Sequence, residues 1–61
     1  IKVAVELEFF TLTWHNYQLQ RSKDLNKWQD VDGPFKGVGG YSSILQPARK
    51  DKIYWRLIIV D

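Results

Sequence analysis

Ile1-Lys2-Val3-Ala4-Val5-Glu6-Leu7-Glu8-Phe9 sets apolar side chains at the odd positions and, Ala4 apart, charged ones at the even positions. A period of two sends successive side chains to opposite faces of an extended chain, so this stretch predicts a half-buried strand. Beyond it the apolar positions move to even numbers, Phe10, Leu12 and Trp14. One extra residue in a strand reverses the face met by everything after it, so the shift predicts a bulge or bend near Phe9–Phe10. His15-Asn16 then reads as a hairpin turn, because Asn tolerates positive φ, and Tyr17 to Arg21 reads as the returning strand.

Further along, Ser22 to Lys27 is rich in side chains that bond nearby backbone, which predicts a tight turn or a single helical turn. Trp28 to Val31 reads as a short strand ended by Asp32-Gly33-Pro34, and Gly37, Gly39 and Gly40 make the next segment a loop. Tyr41 to Leu45 is a fourth strand. Pro47 to Asp51 turns again, exposing Arg49, Lys50 and Asp51. In Lys52 to Val60 both faces are largely apolar, with Ile53, Trp55, Leu57 and Ile59 on one and Tyr54, Arg56, Ile58 and Val60 on the other. Such a strand is expected at the centre of a sheet or against another subunit. No helix-period segment interrupts the series. The expectation is one all-β domain over residues 1–61, a small antiparallel β-sandwich or open barrel of about five strands. Its first and last strands are expected to lie close in space, with Trp28 and Trp55 in its core.

Composition limits how such a fold holds together. At 61 residues a single core is near its lower size limit, and with no cysteine there is neither a disulfide nor a thiolate metal site to staple it. Three Trp, three Tyr and three Phe supply large apolar units, suited either to the interior or to a contact surface. The formal charge of +2 names no partner. No run approaches the roughly 18 apolar residues of a membrane span. The chain begins at Ile1 and contains no Met, which reads as a segment of a longer product.

Tyr17-Gln18-Leu19-Gln20-Arg21-Ser22-Lys23-Asp24-Leu25-Asn26-Lys27-Trp28, with the Gly-rich loop and Tyr54-Trp55-Arg56-Leu57 after it, carries a family resemblance. It resembles the β-sandwich modules that recur in large secreted bacterial proteins, which read Y-x-L-Q-x-S-x-D-L-x-x-W and end on an aromatic-aromatic-Arg strand. The likeness runs from about Val3 to Val60. It implies core and turn-shaping roles for Tyr17, Leu19, Leu25 and Trp28, and turn-forming roles for Ser22 and Asp24. It also implies an extracellular or cell-surface setting, and adhesion, display or spacer duty in place of catalysis. The chain departs from these modules at Leu12-Thr13-Trp14-His15-Asn16, where they carry small polar residues, and at Tyr54-Trp55-Arg56, where they have Phe-Tyr-Arg or Tyr-Tyr-Arg.

The catalytic candidates are thin. His15 is the only histidine, and a catalytic role requires a nucleophile or carboxylate within hydrogen-bond reach, for which Ser42 and Ser43 are candidates in name only. Glu6 and Glu8 share a strand face at roughly 7 Å, a spacing that more often keeps an outer face wet than performs hydrolysis. Gly37-Val38-Gly39-Gly40 lacks the following Lys-Ser/Thr and the helix of a phosphate loop. Arg21, Lys23, Lys27, Arg49, Lys50 and Lys52 form a basic set interleaved with Asp24 and Asp51, a pattern of solvated turns more than of a nucleic-acid surface. What stands out is Trp14 beside a turn. The expected function is a non-enzymatic interaction module that adheres or self-assembles through Trp14, His15, Asn16, Phe35 and Tyr41, with no metal and no cofactor. The alternatives are a carbohydrate-binding module with Trp14, Tyr41 and Phe35 as a stacking platform near Asn16 and Gln46, and, less favoured, a nucleic-acid-binding barrel.

Overall fold

The computed structural model describes residues 4–48 and 51–61, so the expectations placed on Ile1–Val3 and on Arg49 and Lys50 lie outside the described residues. Those residues form five strands and no helix: β1 (Ala4–Thr11), β2 (Asn16–Ser22), β3 (Gln29–Lys36), β4 (Gly40–Pro47) and β5 (Tyr54–Ile59). They make two antiparallel sheets packed together, one of order β1-β4 and one of order β3-β2-β5. The all-β architecture is as expected. Several details differ.

The pairing of β1 with β4 runs without interruption from Ala4 opposite Pro47 to Thr11 opposite Gly40, so the bulge expected near Phe9–Phe10 is not there. The change of apolar phase has another origin. Val5, Leu7, Phe9 and Thr11 lie on one face, on which Thr11 is fully buried, whereas Phe10 faces outward and stays 58% exposed. Its cross-strand neighbour Tyr41 meets it edge-on, ring centroids 5.4 Å apart at 81°, an arrangement that covers part of each ring without a core.

The bulge falls in β3. Leu19 pairs with Val31 but Tyr17 pairs with Phe35, so Gln18 of β2 faces three residues of β3, Asp32-Gly33-Pro34. Asp32 takes a positive φ of 59°, and the buried Gln18 side chain brings its Nε2 within 3.0–3.2 Å of the carbonyls of Leu19, Val31 and Asp32. The Gln18 amide thereby packs polar contact into the irregular stretch, where Asp32 has no ladder partner opposite it. The expected strand breaker is thus absorbed, and Pro34 is tolerated because β3 is an edge strand.

The centre of that sheet is β2. Its Tyr17 and Leu19, with Val31 of β3, are the buried apolar residues among those described. Trp28 and Trp55 are only half-buried, which corrects their placement in the core. The Trp28 ring lies under the Arg56 guanidinium, 4.0 Å from the ring centroid, and its Nε1 donates to the Leu25 carbonyl at 3.3 Å. This cation–π stack shields one ring face with a charged group in place of core side chains. Among the described residues β5 is an edge strand, bonded to β2 alone, and not the central strand its largely apolar faces suggest. The first and last strands lie in different sheets, and β1 continues into β2 by crossing between sheets in place of the expected hairpin.

The turn after β2 is the most local element and matches its sequence reading. Ser22 Oγ accepts from the amides of Asp24 (3.2 Å) and Leu25 (2.9 Å). Asp24 Oδ1 accepts from the Asn26 (2.9 Å) and Lys27 (3.0 Å) amides. The amide of Lys27, then that of Asn26 and the Ser22 hydroxyl, hold the Asp24 carboxyl below its ordinary pKa, since each bond favours the anion. Leu25 closes the turn at φ 66°.

Two sheets of two and three strands leave much outside. The surface of 4731 Å² exceeds the roughly 4100 Å² usual for 7.2 kDa, and the radius of gyration of 12.2 Å exceeds the roughly 10.5 Å usual for this length. The domain is a flattened body of 36 × 29 × 16 Å with a thin interior.

Candidate functional site

The crossing from β1 to β2 builds a rigid corner. Thr11, at the end of β1, accepts the Val38 amide on its Oγ1 at 3.0 Å and lies 3.3 Å from Ser42 Oγ. The next residue, Leu12, donates its amide to the Tyr17 hydroxyl at 2.9 Å, and the His15 amide closes the turn onto the Leu12 carbonyl at 3.3 Å. Gly37 then passes so close that a Cβ there would sit 1.9 Å from the Leu12 carbonyl oxygen and 2.9 Å from Tyr17 Cε2. Only glycine permits that approach.

Trp14 stands out from this corner, 70% exposed. Its indole lies 6.2 Å from the His15 ring, His15 lies 6.3 Å from Tyr17 at a steep angle, and Tyr17 stacks on Phe35 at 6.2 Å. The aromatic row therefore runs from solvent down into the core. The tail beyond β5 fixes its outer half: the Asp61 carboxyl meets His15 Nδ1 in a hydrogen bond and accepts the Asn16 amide on Oδ1 at 2.7 Å. That amide first, and the His15 side chain second, hold the Asp61 carboxyl below its ordinary pKa.

Of the five residues expected to bind, the structure gathers Trp14, His15, Asn16 and Phe35 around Tyr17 and leaves Tyr41 apart. Tyr41 is on the outer face of the other sheet, 70% exposed beside Phe10, with Leu45 on the same face. The sugar platform of Trp14, Tyr41 and Phe35 is thereby split between two sheets. Gln46 is buried on the opposite face of β4 from Tyr41, not set beside it. Sequence reasoning missed Asp61, 45 residues from Asn16, and Gly37, whose closeness to Leu12 and Tyr17 is a tertiary fact.

Part of the basic set also comes together. Arg21, Lys23 and Lys27 line a cavity of about 390 Å³ beside Trp28, with Asp24 among them. Lys52 lies over Tyr54, 5.2 Å from the ring centroid. Among the described residues no three His, Cys, Asp or Glu side chains are grouped so as to hold a metal ion. No helix among them is long and apolar enough to cross a membrane. The site defined by this fold is an exposed indole on a braced corner between two small sheets. Compared with protein-family models, with curated proteins and with solved structures, the chain gives no match.

Proposed function

We propose that this chain is a non-enzymatic interaction module that works outside the cell by joining protein surfaces, its own copies foremost, through exposed aromatic and apolar side chains. One observation carries the reading. Among the described residues the buried apolar set is Tyr17, Leu19 and Val31, while Phe10, Trp14, Tyr41, Leu45, Ile59 and Val60 are exposed. Apolar area left in water stabilises nothing until it is covered, at roughly 25 cal/mol per Å². Phe10, Tyr41 and Leu45 share the outward face of the β1-β4 sheet, and an exposed apolar face of this kind marks an interaction site. Trp14 fits the anchor role because its backbone is already held by the Thr11, Tyr17 and Asp61 contacts, so little order is lost when a partner covers the ring. The extracellular setting rests on the resemblance to secreted modules alone.

Replacing Trp14 with Ala tests the anchor. The variant is expected to melt within a few degrees of the parent chain, since the removed ring is mostly in water, and to lose at least about 2 kcal/mol, roughly thirtyfold, in self-association. Unfolding would show that Trp14 belongs to the fold. Unchanged melting with unchanged association would remove the aromatic corner as the contact surface.

A further inference from the structure

We infer that the partner is a second copy of the chain, joined edge to edge through β5 in antiparallel fashion, so that the two three-stranded sheets become one of six strands. The inference rests on the interaction-module reading and adds to it the element, the register and the bonds.

The direction of the β5 backbone follows from its pairing with β2. The Val60 amide donates to the Asn16 carbonyl at 2.8 Å, and Ile58, Arg56 and Tyr54 follow at steps of two opposite Gln18, Gln20 and Ser22. In an antiparallel ladder alternate residues turn both N–H and C=O to the same neighbour. Arg56 and Ile58 therefore face β2, and Trp55, Leu57 and Ile59 present their N–H and C=O groups to the open side. Among the described residues β5 pairs with no other strand.

Natural sheets guard such an edge with charge, proline or a bulge. The opposite edge of this sheet is guarded: β3 carries Asp30, Asp32, Pro34 and Lys36 and is bulged. Strand β1 carries Glu6 and Glu8, which repel their own copies, and β4 carries the polar pair Ser42-Ser43 and ends on Pro47. By contrast β5 reads Tyr-Trp-Arg-Leu-Ile-Ile. Its one charge is turned away, because Arg56 Nε donates to Gln20 Oε1 of β2 at 2.8 Å and the guanidinium lies over Trp28. A run of aromatic and aliphatic residues with outward amides, its one charge directed to Gln20 and Trp28, is a template for another extended chain.

The strand is also self-complementary. A two-fold axis at Leu57 sets Leu57 opposite its own copy and Trp55 opposite Ile59 in both directions, so every outward donor and acceptor of the three residues is used. An axis at Arg56 would set two guanidinium-bearing residues directly opposite, which is unfavourable. An axis at Ile58 would carry Trp55 past the end of the strand. The Leu57 axis centres the contact on the C-terminal half of β5, next to Val60, whose amide donates to the Asn16 carbonyl. Two-fold pairing closes the assembly at two copies through this edge.

Amide hydrogen exchange by NMR on the intact chain, at concentrations spanning the association measured by sedimentation, tests this directly. Trp55, Leu57 and Ile59 amides are expected to slow at least tenfold as the dimer forms, while Arg56 and Ile58, bonded to β2, serve as the internal reference. Ile59→Pro removes one outward N–H and no bond to β2, and Ile59→Lys adds the missing guard at an exposed position; each is expected to weaken association tenfold or more. Dimerisation with Trp55, Leu57 and Ile59 exchanging as fast as in the monomer, or untouched by either folded variant, overturns the edge and leaves the module reading standing. A chain that stays monomeric throughout overturns both.

Discussion

Replacing Gly37 with Ala is expected to unfold the chain or lower its melting temperature by more than about 10 °C. The added Cβ would fall 1.9 Å from the Leu12 carbonyl oxygen and 2.7 Å from its carbon, both backbone atoms, and 2.9 Å from a buried Tyr17 ring carbon. No rotamer change relieves a clash with backbone. The corner must open, and with it go the Gly37 amide bond to the His15 carbonyl (3.0 Å) and the Leu12 amide bond to the Tyr17 hydroxyl (2.9 Å). Overpacking of ordinary side chains costs about 1–3 kcal/mol, and one against backbone lies at or above that range. For a domain of this size each kcal/mol moves the midpoint by about 4–8 °C. Thermal melting by circular dichroism reads the effect. A Gly37→Ala chain that melts within about 2 °C of the parent would mean that the corner does not brace the two sheets.

The second large effect is expected at Leu19. It is 3% exposed in the central strand, opposite Val31 on one side and Leu57 on the other. Cutting it to Ala removes buried methyls and leaves a void, at a cost of about 2–5 kcal/mol. A chain of 61 residues has roughly 3–9 kcal/mol in all. The variant is therefore expected to lose a large share of its stability, about 2–5 kcal/mol, whereas Leu45→Ala, on an outward face and 67% exposed, should change the monomer's stability by no more than about 0.5 kcal/mol. Urea unfolding of both at a concentration below association separates them. Equal losses would mean that the interior does not centre on β2.

These two residues also show what the sequence makes legible. The phase of Tyr17 and Leu19 announces an inward face, and the Ser22–Lys27 turn is readable because its bonds join residues two or three apart. Alternation reports which side chains share a face, but not which strands are neighbours. For that reason β5, largely apolar on both faces, looks central in sequence and is an edge in the fold. Asp32-Gly33-Pro34 looks like an end because the side chain bonded into the irregular stretch is that of Gln18, more than a dozen residues earlier. The even phase of Phe10 looks like a bulge because an outward aromatic pair with Tyr41 is written in the same letters as a change of face.

The candidate site divides in the same way. An indole next to a turn is visible in the spacing, but not whether it packs under its own loop or stands in solvent, and the structure places Trp14 in solvent. Its brace was not visible. Asp61 reaches Asn16 and His15 across the whole chain, and the separation of Tyr41 from the aromatic row depends on β4 pairing with β1, far apart in sequence.

The central claim is that the uncovered apolar surface of this domain is shared with another copy. Sedimentation equilibrium of the parent chain through the micromolar range measures that without a variant or a probe. The expected result is a weight-average mass that rises with concentration from 7.2 kDa towards twice that value. A mass that stays at 7.2 kDa across the whole range would contradict it.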